Sequence, residues 1–314
     1  MKRVYGKAAL LMAAIVAVSA IITHFTAVTR QEDGRFQVVA TFYPVYIAAL
    51  NLTEGTDAAL TCLVQSQTGC LHDYQLSPND LFILNRADLL LMNGAGAEAF
   101  LGDALDGLPS LAVVDSADGV PLSEGHEEHD HGHDHAGEAV NEHIWTSPTR
   151  YIRQVENLRD GLAAADSANA DRYRENAAAY IQRIEETRQR LLIAAEALPY
   201  RECVTFHDSL SYLAEELGLI PVAALSMGEE SGLAAADLSG AYDAVRAAGH
   251  ALLLYDAQYV EGGTYYRNLE QAGDTATLTI DTAVSGPADK DAWLNAMNQT
   301  AALLEEVAQY TAPQ

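Results

Sequence analysis

Short apolar runs alternate with amphipathic stretches along most of the chain. Residues 36–42, 58–64, 88–92 and 111–115 read as strands, with helices over 45–52 and about 79–86. Pro78 opens the second of these helices, where its missing N–H costs nothing. A polar, linker-like stretch covers residues 118–138. Beyond it, residues 167–198 carry Tyr173, Ala177, Tyr180, Ile184, Leu191, Ala195 and Leu198 on one helical face. That helix would be roughly 48 Å long. A second alternating block follows, with strands over 202–206, 220–224, 251–255 and 276–280. Its helices fall near 209–217, 235–248 and 265–272, and a closing helix covers 291–310.

Strands alternating with helices imply parallel sheets covered on both faces. The pattern therefore predicts an α/β protein of two lobes, each a parallel sheet flanked by helices, bridged by one long rigid helix. Residues 35–165 form the N-terminal lobe, including a loop over 124–137. Residues 166–198 form the bridge and 199–314 the C-terminal lobe. Residues 1–28 stand apart. Lys2, Arg3 and Lys7 precede 15 apolar or small residues, Ala8 to Ile22, which is the pattern of an export signal or of an uncleaved anchor. No cysteine lies near the end of that run, so the chain is expected not to be a lipoprotein, and to lie in the periplasm or on the outer face of the cytoplasmic membrane.

Charge narrows the partners. The 314 residues hold 18 Lys and Arg against 44 Asp and Glu, a formal charge of −26. Loss of residues 1–27 removes three bases and no acid, which deepens it to −29. Nucleic acid and anionic membrane reward positive charge, so neither is expected as a partner. A cation is the better-matched ligand. No glycine-rich fingerprint for a dinucleotide or nucleoside triphosphate occurs: Gly94-Ala95-Gly96 lacks the further glycine and the Gly-Lys-Ser/Thr ending.

Histidines carry the candidate chemistry. Five of the ten, His126, His129, His131, His133 and His135, lie in one acidic tract. Imidazole and carboxylate donors suit divalent metals, Zn²⁺ foremost, and a tract of this kind reads as an auxiliary collector or sensor. Three others stand apart: His72 beyond a strand, His143 where polar linker gives way to folded chain, and His207 at a strand-to-helix switch. Asp281 ends the last strand. Ligands of open α/β sheets bind at the carboxyl ends of strands, so His72, His143, His207 and Asp281 are the candidate ligands of a tetrahedral site shared by the lobes. Glu142 and Asp256 are the candidate acceptors that would hold the imidazoles in place. Cys62 and Cys70 enclose a short loop next to His72, where a disulfide would stiffen the chain; a thiolate ligand from Cys70 is the competing reading. Cys203 reads as a buried small hydrophobe.

On these residues the chain resembles the metal-binding lipoprotein family that serves zinc and manganese ABC importers, in its zinc-specific branch. The matching stretches are Gly69 to Pro78, Asn93 to Glu98, His143 to Pro148 and Phe206 to Tyr212. The resemblance implies that His72, His143, His207 and Asp281 are, in that order, the four metal ligands, and that an ABC permease with its ATPase is the partner. It also implies two lobes on a rigid helix and a histidine-rich loop near the site. Manganese-binding relatives tend to carry a carboxylate where this chain has His207, so the imidazole favours zinc, in line with ligand softness. The sequence departs from the family at Asp256-Ala257-Gln258, commonly Glu-Pro-Gln, and in lacking the lipid-anchor cysteine. The expected function is therefore capture of Zn²⁺ outside the cytoplasm and its delivery to a permease by a monomeric, non-enzymatic protein. Manganese capture is the nearest alternative, and an exported zinc-dependent hydrolase using the same residues is a more distant one.

Overall fold

A computed structural model describes residues 34–64, 71, 74–123, 140–225, 235–262 and 267–310. The candidate ligand His72, the histidine tract, Cys70 and the N-terminal apolar run lie outside the described residues. Among those described, no helix is long and apolar enough to cross a membrane.

The N-terminal lobe is a four-stranded parallel sheet in the order β2-β1-β3-β4, from β1 (Gln37–Ala40), β2 (Ala59–Cys62), β3 (Leu89–Met92) and β4 (Ala112–Asp115). Helices α1 (Tyr43–Leu52), α2 (Pro78–Leu84) and α3 (Gly102–Asp106) connect the strands. Period-two alternation puts the two faces against different neighbours. Val38, Ala40, Leu89 and Leu91 face the main core, while Val39 and Leu90 pack under Leu84 of α2 and Leu101. Helix α2 starts where Pro78 predicts, and Ser77 caps it: the Ser77 hydroxyl accepts from Asp80 N–H, and the Asp80 carboxylate accepts from Ser77 N–H, a reciprocal cap.

The C-terminal lobe repeats the plan in the order β6-β5-β7-β8, again all parallel. Its strands are β5 (Glu202–Thr205), β6 (Ile220–Ala224), β7 (His250–Asp256) and β8 (Asp274–Ile280). Two long helices precede it: α4 (Pro148–Ala165) and α5 (Ala170–Glu196). Helices α6 (Ser211–Glu216), α7 (Ala235–Ala248), α8 (Arg267–Glu270) and α9 (Ala292–Tyr310) complete the chain. Cys203, Leu252 and Leu254 join the main core, and Val204 and Leu253 face Ala241 and Val245 of α7. The predicted α/β architecture of two flanked parallel sheets is the observed one, and long helices link them.

Helix α4 adds to the predicted elements. The expected bridge corresponds to α5, about 40 Å long, and α4 forms a helical hairpin with it. Ser147 caps α4 and Pro148 occupies its first turn, and Tyr151, Val155, Leu158 and Leu162 line its buried face. Gly161 lets α4 lie close on β4, since a Cβ there would sit 2.2 Å from Val114 Cγ2. One core then runs through both lobes. Trp293 of α9 stacks on Tyr151 of α4 at 4.6 Å and donates its indole N–H to the Trp145 carbonyl. Trp145 in turn donates to the carbonyl of Thr282, beyond β8, and packs edge-on against Phe42, beyond β1. Glu216 of α6 accepts from Ser147, Thr149 and Arg188. Although burial opposes ionisation, these donors hold its carboxyl below the usual value. Glu216 thus clamps α6 to the start of α4.

Among the described residues no disulfide is formed, so the one expected at Cys62 is not supported. Cys62 is a free thiol, as is Cys203. The Cys62 Sγ–H donates to the Val64 carbonyl at 3.2 Å inside the core, and burial pushes its pKa to about 12. At the end of β2 this cysteine is a packed, protonated core residue, and strand geometry holds its sulfur against its own chain.

Candidate metal centre

In both sheets the strand order reverses between the two central strands, β1/β3 and β5/β7, and such switch points open a crevice beyond the carboxyl ends. Residues 140–147 cross between those two crevices. His143 lies in this crossing segment. His207 lies two residues past the end of β5, and its ring is 5.2 Å from that of His143, edge to face. Both are buried, at 7% and 4% exposure. The structure therefore brings together two of the four predicted ligands, from opposite sides of the lobe boundary.

The rest of the set is placed less tightly. Asp281 follows β8 as predicted, but its side chain is exposed and its Oδ1 accepts the Ala283 N–H at 2.8 Å. It still lies close enough to Tyr43 that, after burial and Asp289, it adds to the raised pKa of that hydroxyl. Among the described residues no three His, Cys, Asp or Glu side chains converge as a metal-holding group.

The electrostatics suit a neutral ligand. Burial lowers the His143 pKa to about 4, more than the attraction of Glu142 raises it. A proton therefore does not compete for this imidazole at neutral pH. Glu142, predicted as a neighbour of the site, places Oε1 3.8 Å from His143 Nε2. A cavity of about 20 Å³, room for one water or ion, lies here between Phe42, Glu142, His143, Trp145, Gln258 and Tyr259.

Asp256, the other predicted acceptor, ends β7 in a buried position. It accepts from Ser209 Oγ at 2.6 Å, from Gln258 N–H at 3.1 Å and from the Thr282 hydroxyl. Burial raises its pKa despite these donors. It ties together the segments that follow β5, β7 and β8. Ser209 then donates its N–H to His207 Nδ1 at 3.0 Å. That bond takes the Nδ1 lone pair and leaves the proton of the neutral ring on Nε2. For His207 to bind a cation, the ring must exchange this N–H for the metal.

The Asn93-Gly94-Ala95-Gly96-Ala97-Glu98 motif organises the N-terminal crevice. Gly94, Ala95 and Gly96 run through positive φ (80°, 54° and 90°), and a Cβ on Gly94 would meet Asp115 Oδ1 at 1.7 Å. This turn brings the N–H groups of Asn93 and Gly94 onto the Glu98 carboxylate, at 2.7 and 3.0 Å, and the Thr41 hydroxyl joins them at 2.6 Å. Asn93 Nδ2 then donates to the Glu142 carbonyl at 2.9 Å, next to His143.

Burial raises the Glu98 pKa to about 7 against those three donors. The folded state therefore keeps a proton that the unfolded chain, at the ordinary value of 4.5, releases. This contribution to stability is fully present below pH 4.5 and is lost as pH rises through 7. It amounts to about 3 kcal/mol. Denaturant unfolding of metal-free protein across that range should show the slope, and Glu98→Gln should flatten it. An unchanged slope in the variant would assign the effect to another group.

The comparisons agree with this fold. Residues 38–307 match the family described as zinc-uptake complex component A, periplasmic. The chain belongs to that family, the metal-binding substrate-binding proteins of ABC transporters. It is 30% identical over 216 residues to the zinc-binding lipoprotein AdcA of Streptococcus pneumoniae, a match covering 67% of this chain and 43% of the relative. It is 31% identical over 189 residues to the iron-binding protein YfeA of Yersinia pestis, covering 59% of this chain and 57% of that one. The chain thus spans about half the length of these relatives. Among solved structures, the substrate-binding protein FpvC of Pseudomonas aeruginosa in complex with Ni²⁺ superposes with a TM-score of 0.74. The two share 20% identity, and the match covers 89% of this chain and 99% of that one. Its Mn²⁺ complex gives 0.71 at 22% identity, covering 88% and 100%. Membership supports a binding role rather than a catalytic one, outside the cytoplasm. The pneumococcal relative is named a lipoprotein, which runs against the expectation that this chain is not one.

Proposed function

We propose that this protein captures Zn²⁺ outside the cytoplasm and delivers it to an ABC permease driven by a partner ATPase. The observation that carries the reading is the pairing of His143 with His207 at the lobe boundary, two buried imidazoles 5.2 Å apart. His72 and Asp281 complete the proposed ligand set, as four protein donors suit a closed tetrahedral zinc site. The histidine tract serves as an auxiliary collector. A zinc-binding relative and the softness of imidazole support zinc over harder cations.

Manganese is the second reading, favoured by the fold shared with a Mn²⁺-bound substrate-binding protein. Elemental analysis of protein purified without added metal, followed by competition between Zn²⁺ and Mn²⁺, separates the two. Zinc retained in the presence of excess manganese is the expected result. Displacement of zinc by an equal concentration of manganese would overturn the zinc assignment.

A further inference from the structure

Two residues before His143, Asn141 is 3% exposed and uses all the polar groups of its side chain. Its Nδ2 donates to the Asp208 carbonyl at 2.9 Å. Its Oδ1 accepts the His143 N–H at 3.0 Å and faces His143 Nδ1 at 2.9 Å. Its own carbonyl accepts the Tyr212 hydroxyl at 2.8 Å. A backbone N–H only donates and a carbonyl only accepts, so these bonds settle which end of the amide is oxygen. Facing that oxygen, His143 Nδ1 must carry the proton. Its Nε2 keeps the lone pair, on the edge of the ring that faces Glu142.

The geometry points to Asn141 as a positioning residue that couples the lone pair of His143 to the seating of the C-terminal lobe. Asp208 directly follows His207 and Tyr212 lies on α6, so both belong to that lobe. The intervening Glu142 is held from the N-terminal lobe by Asn93. Bonds from the two lobes thus meet on two consecutive residues, Asn141 and Glu142, next to His143. Movement of the lobes apart breaks the bonds to Asp208 and Tyr212. The amide is then free to turn, and His143 loses the acceptor that keeps its proton on Nδ1. With the lobes seated, Nε2 is held ready for a cation. With the lobes apart, the ring reverts to the tautomer an unrestrained imidazole favours, with the proton on Nε2.

The inference rests on His143 as a metal ligand only for its consequence, so its test has two independent arms. Long-range ¹H–¹⁵N NMR of metal-free protein reads the tautomer directly. The expected result is a protonated Nδ1 on His143 in the wild type and in Asn141→Asp, which keeps the acceptor, and a protonated Nε2 in Asn141→Leu, which removes it. Chelator competition reads Zn²⁺ affinity, expected to fall about 10- to 100-fold in Asn141→Leu and to be largely restored in Asn141→Asp. Should the leucine variant not fold, Tyr212→Phe replaces it. That variant keeps the amide but removes one tie, and is expected to leave a mixture of tautomers. A wild-type His143 protonated on Nε2, or a tautomer unchanged in Asn141→Leu, would overturn the inference. A tautomer that shifts as expected in a protein that binds no transition metal would leave the inference standing and overturn the metal-capture reading.

Discussion

Replacing His143 by alanine is expected to lower Zn²⁺ affinity at least about 100-fold, more than the loss of a supporting group costs. The ring is buried and neutral because burial lowers its pKa to about 4. The donor it supplies is therefore available without displacing a proton. Titration against a chromophoric chelator measures the change. His143→Gln, which keeps a neutral polar side chain, separates loss of the donor from loss of packing. His250 is the matched control: it starts β7 at the opposite end of the sheet and pairs with Glu202 at 3.0 Å, so His250→Ala should bind as the wild type does. Deletion of residues 124–137 should likewise leave the tight site in place. Unchanged affinity in His143→Ala would remove this residue from the ligand set.

Replacing Trp293 by alanine is expected to destabilise the fold by about 3–5 kcal/mol. The side chain is fully buried, stacked on Tyr151, and its N–H satisfies the Trp145 carbonyl. Its loss opens a cavity between α4 and α9 and leaves that carbonyl without a donor. Because Trp145 packs at 5.2 Å from the His143 ring and bonds to Thr282, the damage also reaches the site. Denaturant unfolding measures the stability, and Trp293→Phe should recover much of it by restoring the stack. A loss below about 1 kcal/mol, the scale of an ordinary surface change, would show that the lobes do not depend on this contact.

Much of the architecture was legible before any coordinates. Strands β3, β6 and β7 and helices α7 and α9 lie within a residue or two of the expected spans, because each follows from local apolar periodicity. The position of His207 was legible for the same reason, since a histidine just past an apolar strand must lie at a sheet's carboxyl end. Helix α4 went unread although its signals were present: Ser147 and Pro148 at the start, then Tyr151, Val155, Leu158 and Leu162. Asn141 gave no local signal of its role. Its partners Asp208 and Tyr212 lie 67 and 71 residues away.

The amino-acid sequence by itself determined that the chain forms two parallel sheets, that a long helix bridges them, and that His207 stands just past a strand. These are consequences of side-chain periodicity, which acts over a few residues. Only the tertiary structure decided which groups meet across the lobes. The Tyr43 hydroxyl reaches the Pro287 carbonyl across 244 residues of chain, and such contacts depend on how the two sheets pack on α4 and α5. The same packing buried Cys62 as a free thiol and set the proton on Nδ1 of His143 but Nε2 of His207. A histidine's proton follows whichever donor or acceptor the fold brings to it.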